Sequence, residues 1–296
     1  MKMLAALFLS LVLSLPGAER TEIVQKLQKV AVTIRAEANY SRSEGSGICR
    51  TVDFNGTKRT VVITAAHVIS QLMTTTDIIK GGKPAKVIKF SDPSIIRMFT
   101  EEGRQVGEMK LDARVLIYSE RHDLAVLLIR SKAFPFGSAK FYWKEKLVPL
   151  GTKLIHTGSL LGSVGHSSAT FGYLSAHGRV IDGVPYCQTD CAVFPGSSGG
   201  LIALESTGEV IGVLQRGAGE SFGLFAPHYR LKRWAEKVGV AWIFTDAVKA
   251  PDLGEIERKL PIMDADGGRP ASGRNTKGGA LFPFMPRQVR LKVEEK

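Results

Sequence analysis

Gln188-Thr189-Asp190-Cys191-Ala192-Val193-Phe194-Pro195-Gly196-Ser197-Ser198-Gly199-Gly200 is the stretch on which the fold turns. Runs of Gly and Ser ordinarily serve as flexible linkers. This one is flanked tightly by apolar extended segments, Val180 to Gln188 before it and Gly200 to Leu204 after it. A serine bracketed by glycines between strands instead suits a sharp turn that aims backbone N–H groups at one point. Working outward, the chain breaks into short β-type runs at Thr60 to Thr64, Ala113 to Tyr118, Leu124 to Ile129, Lys153 to Thr157 and Val210 to Leu214. Each is bounded by Gly, Pro, Asp or Ser, as strands joined by turns are. With 31 Gly and 13 Pro in 296 residues, many turns are favoured over a few long helices, and the fold class read from the chain is all-β.

Two further segments acquire meaning beside the serine. Val62-Ile63-Thr64-Ala65-Ala66-His67-Val68 is a β-branched run ending in small residues and a histidine. His122-Asp123-Leu124-Ala125-Val126-Leu127 sets an aspartate at the mouth of an apolar strand. Alone, such a histidine is structural and such an aspartate closes a turn. Together with Ser198 they supply what acyl transfer needs. A hydroxyl is a poor nucleophile until an imidazole takes its proton, and the imidazole needs a carboxylate to fix its tautomer and stabilise its charged form. The order His, Asp, Ser is that of the chymotrypsin template, not of subtilisin or the α/β-hydrolases.

On these motifs the chain resembles a trypsin-like serine peptidase, and within that family it is most similar to the HtrA/Deg branch. The resemblance rests on TAAHV at 64–68, DLAVL at 123–127 and QTDCAVFPGSSGG at 188–200, with support from Ser168 to Ser175, Gly208 to Val213 and Phe222 to Pro227. It covers roughly residues 25 to 245. It implies two six-stranded antiparallel β-barrels with a C-terminal helix, and a catalytic triad of His67, Asp123 and Ser198. Ser198 rather than Ser197 takes the nucleophile's place because it directly precedes Gly-Gly, and the N–H groups of Gly196 and Ser198 become the oxyanion hole. The pocket base falls six residues before the nucleophile, at Ala192, with Gln215, Arg216 and Gly217 along a wall. A pocket without a buried carboxylate cannot offset desolvation of a substrate Lys or Arg, so small or aliphatic uncharged residues are expected before the cleaved bond. Arg216 could instead attract acidic residues. The chain departs from the branch in three ways: Cys187 and Cys191 stand where cysteine is unusual, Leu201 replaces a common proline, and no segment is long or regular enough for a PDZ domain. Two other readings fit the same residues, a protease-like scaffold that binds chains without turnover and a processing peptidase of a virus or mobile element.

Around this body the chain divides into three expected parts. Residues 1–18, with Lys2, the apolar run Met3 to Leu15 and then Pro16-Gly17-Ala18, have the layout of a secretory signal. The run is shorter than the roughly 20 residues a spanning helix needs, so a membrane tether through residues 3–15 is the alternative to cleavage. The expected location is secreted, periplasmic or otherwise extracytoplasmic. Residues 22–245 are the peptidase domain, its two barrels meeting near 140–150. Within it Glu22 to Ala36 passes from helical to strand-like spacing, Gln71 to Leu111 reads as long polar loops, and Tyr229 to Val238 reads as a terminal helix. Residues 250–296, rich in Pro and Gly, read as a disordered basic tail.

Charge and cysteine narrow the partners. The formal net charge is +12, but residues 246–296 carry ten Lys or Arg against eight Asp or Glu, so the excess is spread over the body rather than gathered in an arm. Solubility and loose attraction to anionic surfaces account for it, and no specific nucleic acid is called for; polypeptides are the expected partners. Cys49, Cys187 and Cys191 lack ligand spacing, and no metal or cofactor is expected. In an extended segment Cys187 and Cys191 lie too far apart to bond each other.

Overall fold

A computed structural model describes residues 16–38, 41–81, 83–101, 104–132, 137–217 and 221–263, and in them the β-branched runs become strands. In chain order the elements are α1 (Pro16–Val30), β1 (Ala31–Ala38), β2 (Ser41–Phe54), β3 (Thr57–Thr64), β4 (Met73–Lys80), β5 (Lys83–Phe90), β6 (Ser94–Glu101), β7 (Arg104–Ser119) and β8 (Leu124–Ile129). There follow β9 (Lys153–Leu160), β10 (Gly165–Ile181), β11 (Val184–Thr189), β12 (Leu201–Leu204), β13 (Val210–Gly217), β14 (Gly223–Pro227), α2 (His228–Val238), α3 (Leu253–Arg258) and β15 (Ile262–Met263). Two antiparallel barrels result. The first runs β7-β6-β1-β2-β3-β8 and closes through β7 and β8; the second is β10-β11-β14-β13-β12-β9. Two six-stranded barrels and a C-terminal helix are the architecture the motifs implied.

Turn chemistry sets the registers. Asn55 and Gly56 both take positive φ, at 53° and 88°, between β2 and β3. That geometry matches the twist of paired strands. Asp182 and Gly183 do the same at 52° and 73°, so Val180 to Gln188, expected as one strand, is a hairpin turn between β10 and β11. An Asp-Gly pair inside an apolar run was the signal for it. β8, Leu-Ala-Val-Leu-Leu-Ile, is buried at all six positions. Full burial of such a side chain contributes roughly 1.5 to 3 kcal/mol. The first barrel's core extends beyond its strands to Leu231 and Trp234 of α2 and to Trp242 and Phe244. Phe54 meets Trp242 edge-on at 5.3 Å and Phe141 meets Phe244 at 5.0 Å. The helix that ends the second barrel is thereby packed into the core of the first.

Three stretches differ from expectation. The long loops expected from Gln71 to Leu111 are strands, with β4 and β5 forming a separate two-stranded ladder from Met73↔Phe90 to Lys80↔Lys83. Most side chains of this ladder face water, so no apolar alternation marks it. α1 already begins at Pro16, and residues 1–15 lie outside the described residues. Of the expected tail, residues 253–263 contribute α3 and β15, the latter parallel to β7 through Ile262↔Ile117; residues 264–296 lie outside the described residues. All three thiols are buried and unpaired.

Candidate active site

His67 stands where β3 runs out. Val68 N–H bonds the Ala65 carbonyl at 3.2 Å and Ile69 N–H that of Ala66 at 3.1 Å, and this 3-10 turn lifts the imidazole to the mouth of the barrel. Asp123 closes the turn into β8, with φ of +49°. The β3–β8 register, Thr64↔Ala125, brings the two strand ends together. His67 Nδ1 lies 3.0 and 2.9 Å from the two carboxylate oxygens of Asp123, and His67 N–H donates to Oδ1 at 2.9 Å. Burial alone would raise the Asp123 carboxyl, but the charge and hydrogen bonds of His67, helped by the charge of Arg216, outweigh it and hold it below the ordinary value. An ionised carboxylate takes its bond from Nδ1–H, which leaves Nε2 as the basic atom of the ring.

The Gly-Ser run is a rigid turn. Ser197 N–H bonds the Phe194 carbonyl and Gly200 N–H the Ser197 carbonyl, each at 2.9 Å. Gly196 and Gly199 take φ of +92° and +86°. A Cβ on Gly196 would stand 2.3 Å from the Ser159 carbonyl oxygen, and one on Gly199 2.1 Å from that of Ser46, so no other residue fits. The adjacent serines differ in employment. Ser197 is 1% exposed and its Oγ accepts the Phe194 N–H at 3.1 Å. Ser198 is half-buried, and among the described residues its hydroxyl makes no hydrogen bond. The N–H groups of Gly196 and Ser198 likewise donate to no acceptor among the described residues.

Sequence reasoning missed the residue that joins this turn to the first barrel. Ser46 N–H bonds the Ser198 carbonyl, Ser46 Oγ donates to the Gly196 carbonyl and Ser159 N–H donates to Ser46 Oγ, all at 2.7 Å. The neighbouring Gly45 is needed for the approach: a Cβ there would lie 2.6 Å from the Val68 side chain and 3.1 Å from the Ser198 carbonyl oxygen. Its signal was Gly45-Ser46-Gly47, glycines inside a strand, which mark a close backbone approach. His156 lies fully buried under the turn. It lies 3.3 Å from Thr170 Oγ1, which donates to the Ala192 carbonyl at 2.9 Å. Burial drives its imidazole down to about 4, and the nearby carbonyls of Ser197 and Ala192 offset this only in part.

The expected pocket residues divide. Ala192 is half-buried, and Gly217, at the end of β13, is exposed. Between the glycines 217 and 223 lies Val193: its methyl carbons are 2.6 and 3.2 Å from where Cβ atoms on those glycines would be. Val193, buried in the core of the second barrel, packs against both glycines, and nothing in the sequence signals this. Gln215 is 2% exposed and turns its amide onto the carbonyls of His122 and Asp123. The Arg216 guanidinium stands 5.5 Å over the Tyr186 ring.

Known proteins resemble the chain in sequence over part of its length and in architecture. The serine protease Do-like HtrA of Lactococcus lactis subsp. lactis is 40% identical over 119 residues, 37% of this chain and 28% of that one. A probable periplasmic serine endoprotease, DegP-like, of Hahella chejuensis is 34% identical over 114 residues, 37% and 23% of the two chains. The matches therefore span less than a third of those relatives. Among solved structures, the serine endoprotease from Yersinia pestis superposes with a TM-score of 0.54 at 19% identity, over 74% of this chain and 65% of that one. The HtrA-type protease AlgW with tripeptide gives 0.53 at 20% identity, over 76% and 63%; both show likeness of fold. The family description "Trypsin-like peptidase domain" matches residues 45–213, from the glycine beside Ser46 to the strand behind the Ser198 turn. A match over more than half of the chain, on a double barrel with His67, Asp123 and Ser198 at its strand ends, places the chain in the trypsin-like peptidase domain family.

Proposed function

We propose that the protein is a serine endopeptidase acting on polypeptides, with Ser198 as nucleophile, His67 as general base and Asp123 as the acid that orients it. The observation that carries this reading is the contrast between Ser197, whose hydroxyl is buried and bonded, and Ser198, whose hydroxyl is unengaged in a turn that packs through Gly199 against Thr64 and Ala65, just before His67. In the proposed cycle Ser198 Oγ attacks the substrate carbonyl while His67 Nε2 takes its proton. The Gly196 and Ser198 N–H groups receive the oxyanion, the proton passes from His67 to the departing amine, and a water activated by the same imidazole hydrolyses the acyl-enzyme. Val193 between its two glycines supports a preference for small or aliphatic uncharged residues before the cleaved bond.

Export is part of the proposal. Its support is the apolar run Met3 to Leu15 and the periplasmic description of the DegP-like relatives. Among the described residues no helix is long and apolar enough to cross a membrane. Fractionation of cells producing the full chain is expected to recover it outside the cytoplasm, and recovery in the cytosol alone would overturn this part. For the chemistry, Ser198→Ala is expected to lower kcat on an unfolded polypeptide on the order of a million-fold. A Ser198→Ala protein that cleaves as the wild type does overturns the assignment.

A further inference from the structure

Asp123 holds a backbone conformation that non-glycine residues seldom adopt, at φ +49°, and something must keep it there. Its own barrel supplies the bonds from His67 and a turn bond from Asp123 N–H to the Glu120 carbonyl at 3.2 Å. The rest comes from the second barrel. Gln215 Nε2 of β13 donates to the His122 carbonyl at 2.9 Å and to the Asp123 carbonyl at 2.5 Å. Arg230 of α2 donates through Nη2 to the same His122 carbonyl and, at 3.2 Å, to Gln215 Oε1, while its Nη1 donates to the Pro185 carbonyl at 3.2 Å. The guanidinium lies 4.7 Å over the Tyr186 ring. Arg230 is 4% exposed and Gln215 2%.

A guanidinium taken out of water is costly unless it is paired and fully bonded. Among the described residues Arg230 is in no ion pair; its acceptors are neutral carbonyls and an amide. Burial pulls its guanidinium down, and the charges of Tyr186 and then of the Asp123 carboxylate oppose this; its Nε has no hydrogen-bond partner among the described residues. A buried cation aimed at the peptide just before the candidate acid, with a buried amide bridging the two, is more than solubility or packing calls for.

We propose that Arg230 and Gln215 are a positioning pair that fixes the His122–Asp123 peptide, so that the Asp123 carboxylate meets His67 in register. The proposal rests on the peptidase reading above. Neither side chain touches substrate; each acts through Asp123. The C-terminal helix thereby enters the site from the back, by a route distinct from the pocket to which the chain's motifs assigned Gln215.

The test compares wild type with Arg230→Met, Arg230→Lys, Gln215→Leu and the double variant Arg230→Met/Gln215→Leu. Fluorophosphonate labelling and peptide cleavage of the wild type come first, because a wild type that does neither defeats the peptidase reading and not the positioning pair. With an active wild type, Arg230→Met and Gln215→Leu are expected to lower kcat about a hundredfold with KM within twofold, by analogy with the loss on removing groups that orient a reactive ligand. Arg230→Lys, which keeps the charge and one donor, should recover at least tenfold. The double variant should be no worse than the poorer single one, as members of one network are non-additive. In proton NMR the far-downfield signal of the His67 Nδ1–H bond should weaken in the folded variants while signals from the β4–β5 ladder stay in place. Where Arg230→Met and Gln215→Leu do not fold, Gln215→Glu, which can pair with Arg230 but offers no donor to the two carbonyls, carries the same expectation. An unchanged kcat in a folded variant, or a rise in KM at constant kcat, overturns the proposal.

Discussion

The Asp123 turn belongs to the first barrel and the Ser198 turn to the second, and each is fastened by the other barrel with different chemistry. The Ser198 turn is held by neutral groups: glycines at positive φ, and Ser46 with its backbone N–H and hydroxyl. The Asp123 turn is held by an amide and a buried guanidinium. The difference follows from what each side presents. A serine in the proposed role of nucleophile needs its neighbouring N–H groups left open and its hydroxyl unengaged, and the anchors here grip carbonyls from behind. The aspartate is an anion with little exposure, 13% of its side chain, and the charge and hydrogen bonds of His67, with the charge of Arg216, oppose the penalty of burial, while the guanidinium behind it holds the peptide. Fastening across the barrel interface also makes the site conditional on both barrels being folded and docked.

Ways to break this comparison fall in order of size. The largest lies under the Ser198 turn, at His156. Its folded-state value, about 4, is below the ordinary value of 6.5 that it regains on unfolding. The unfolded chain therefore binds the proton first. The contribution to stability is whole above pH 6.5 and is lost as pH falls to about 4, a change of roughly 3 kcal/mol for this group alone. Urea unfolding at pH 7 and pH 4 should show that loss in wild type, and a His156→Gln protein should show a correspondingly smaller difference. An identical pH dependence in the two proteins would remove His156 from the account.

Ser46→Ala comes next. It leaves the Gly196 carbonyl and the Ser159 N–H without their buried partner, and about 2 kcal/mol of stability should go, read by thermal or urea unfolding. Activity should fall some tens of fold, and because the anchor is neutral the loss should be the same in low and high salt. Val193→Ala sharpens the comparison from the pocket side. Shortening the side chain between Gly217 and Gly223 is expected to shift kcat/KM about tenfold towards larger aliphatic residues before the cleaved bond, measured on a peptide series. The smallest effect is expected at Ser197→Ala, which removes one bond to the Phe194 N–H: about 1 kcal/mol of stability and a few-fold in activity.

How much of this was legible in the chain depends on whether a residue signals through type or through reach. The strands around Thr60, Leu124 and Val210 announced themselves by β-branched apolar runs, and the double barrel was implied by the resemblance that the motifs carry. The β4–β5 ladder gave no period because water lies on most of it. The Asp182-Gly183 turn was visible as a turn pair inside an apolar run and was read through. Ser46 had a signal in its flanking glycines. Arg230 had none: on a helix reading Tyr-Arg-Leu-Lys-Arg-Trp it is one basic residue among three, and only packing shows that it alone is buried against the Asp123 turn. Val193 gave no signal of its own either: it is a buried β-branched residue of the second barrel's core, and only the fold sets Gly217 and Gly223 on either side of it.

The contrast between the two serines is the claim on which the rest stands, and covalent labelling tests it most directly. The full-length wild type is treated with a fluorophosphonate and the modified peptide is mapped by fragmentation mass spectrometry, with His67→Ala as control. A single adduct on the Ser198 hydroxyl is expected, with none in His67→Ala. An adduct on Ser197, or an unlabelled wild type, would contradict the claim.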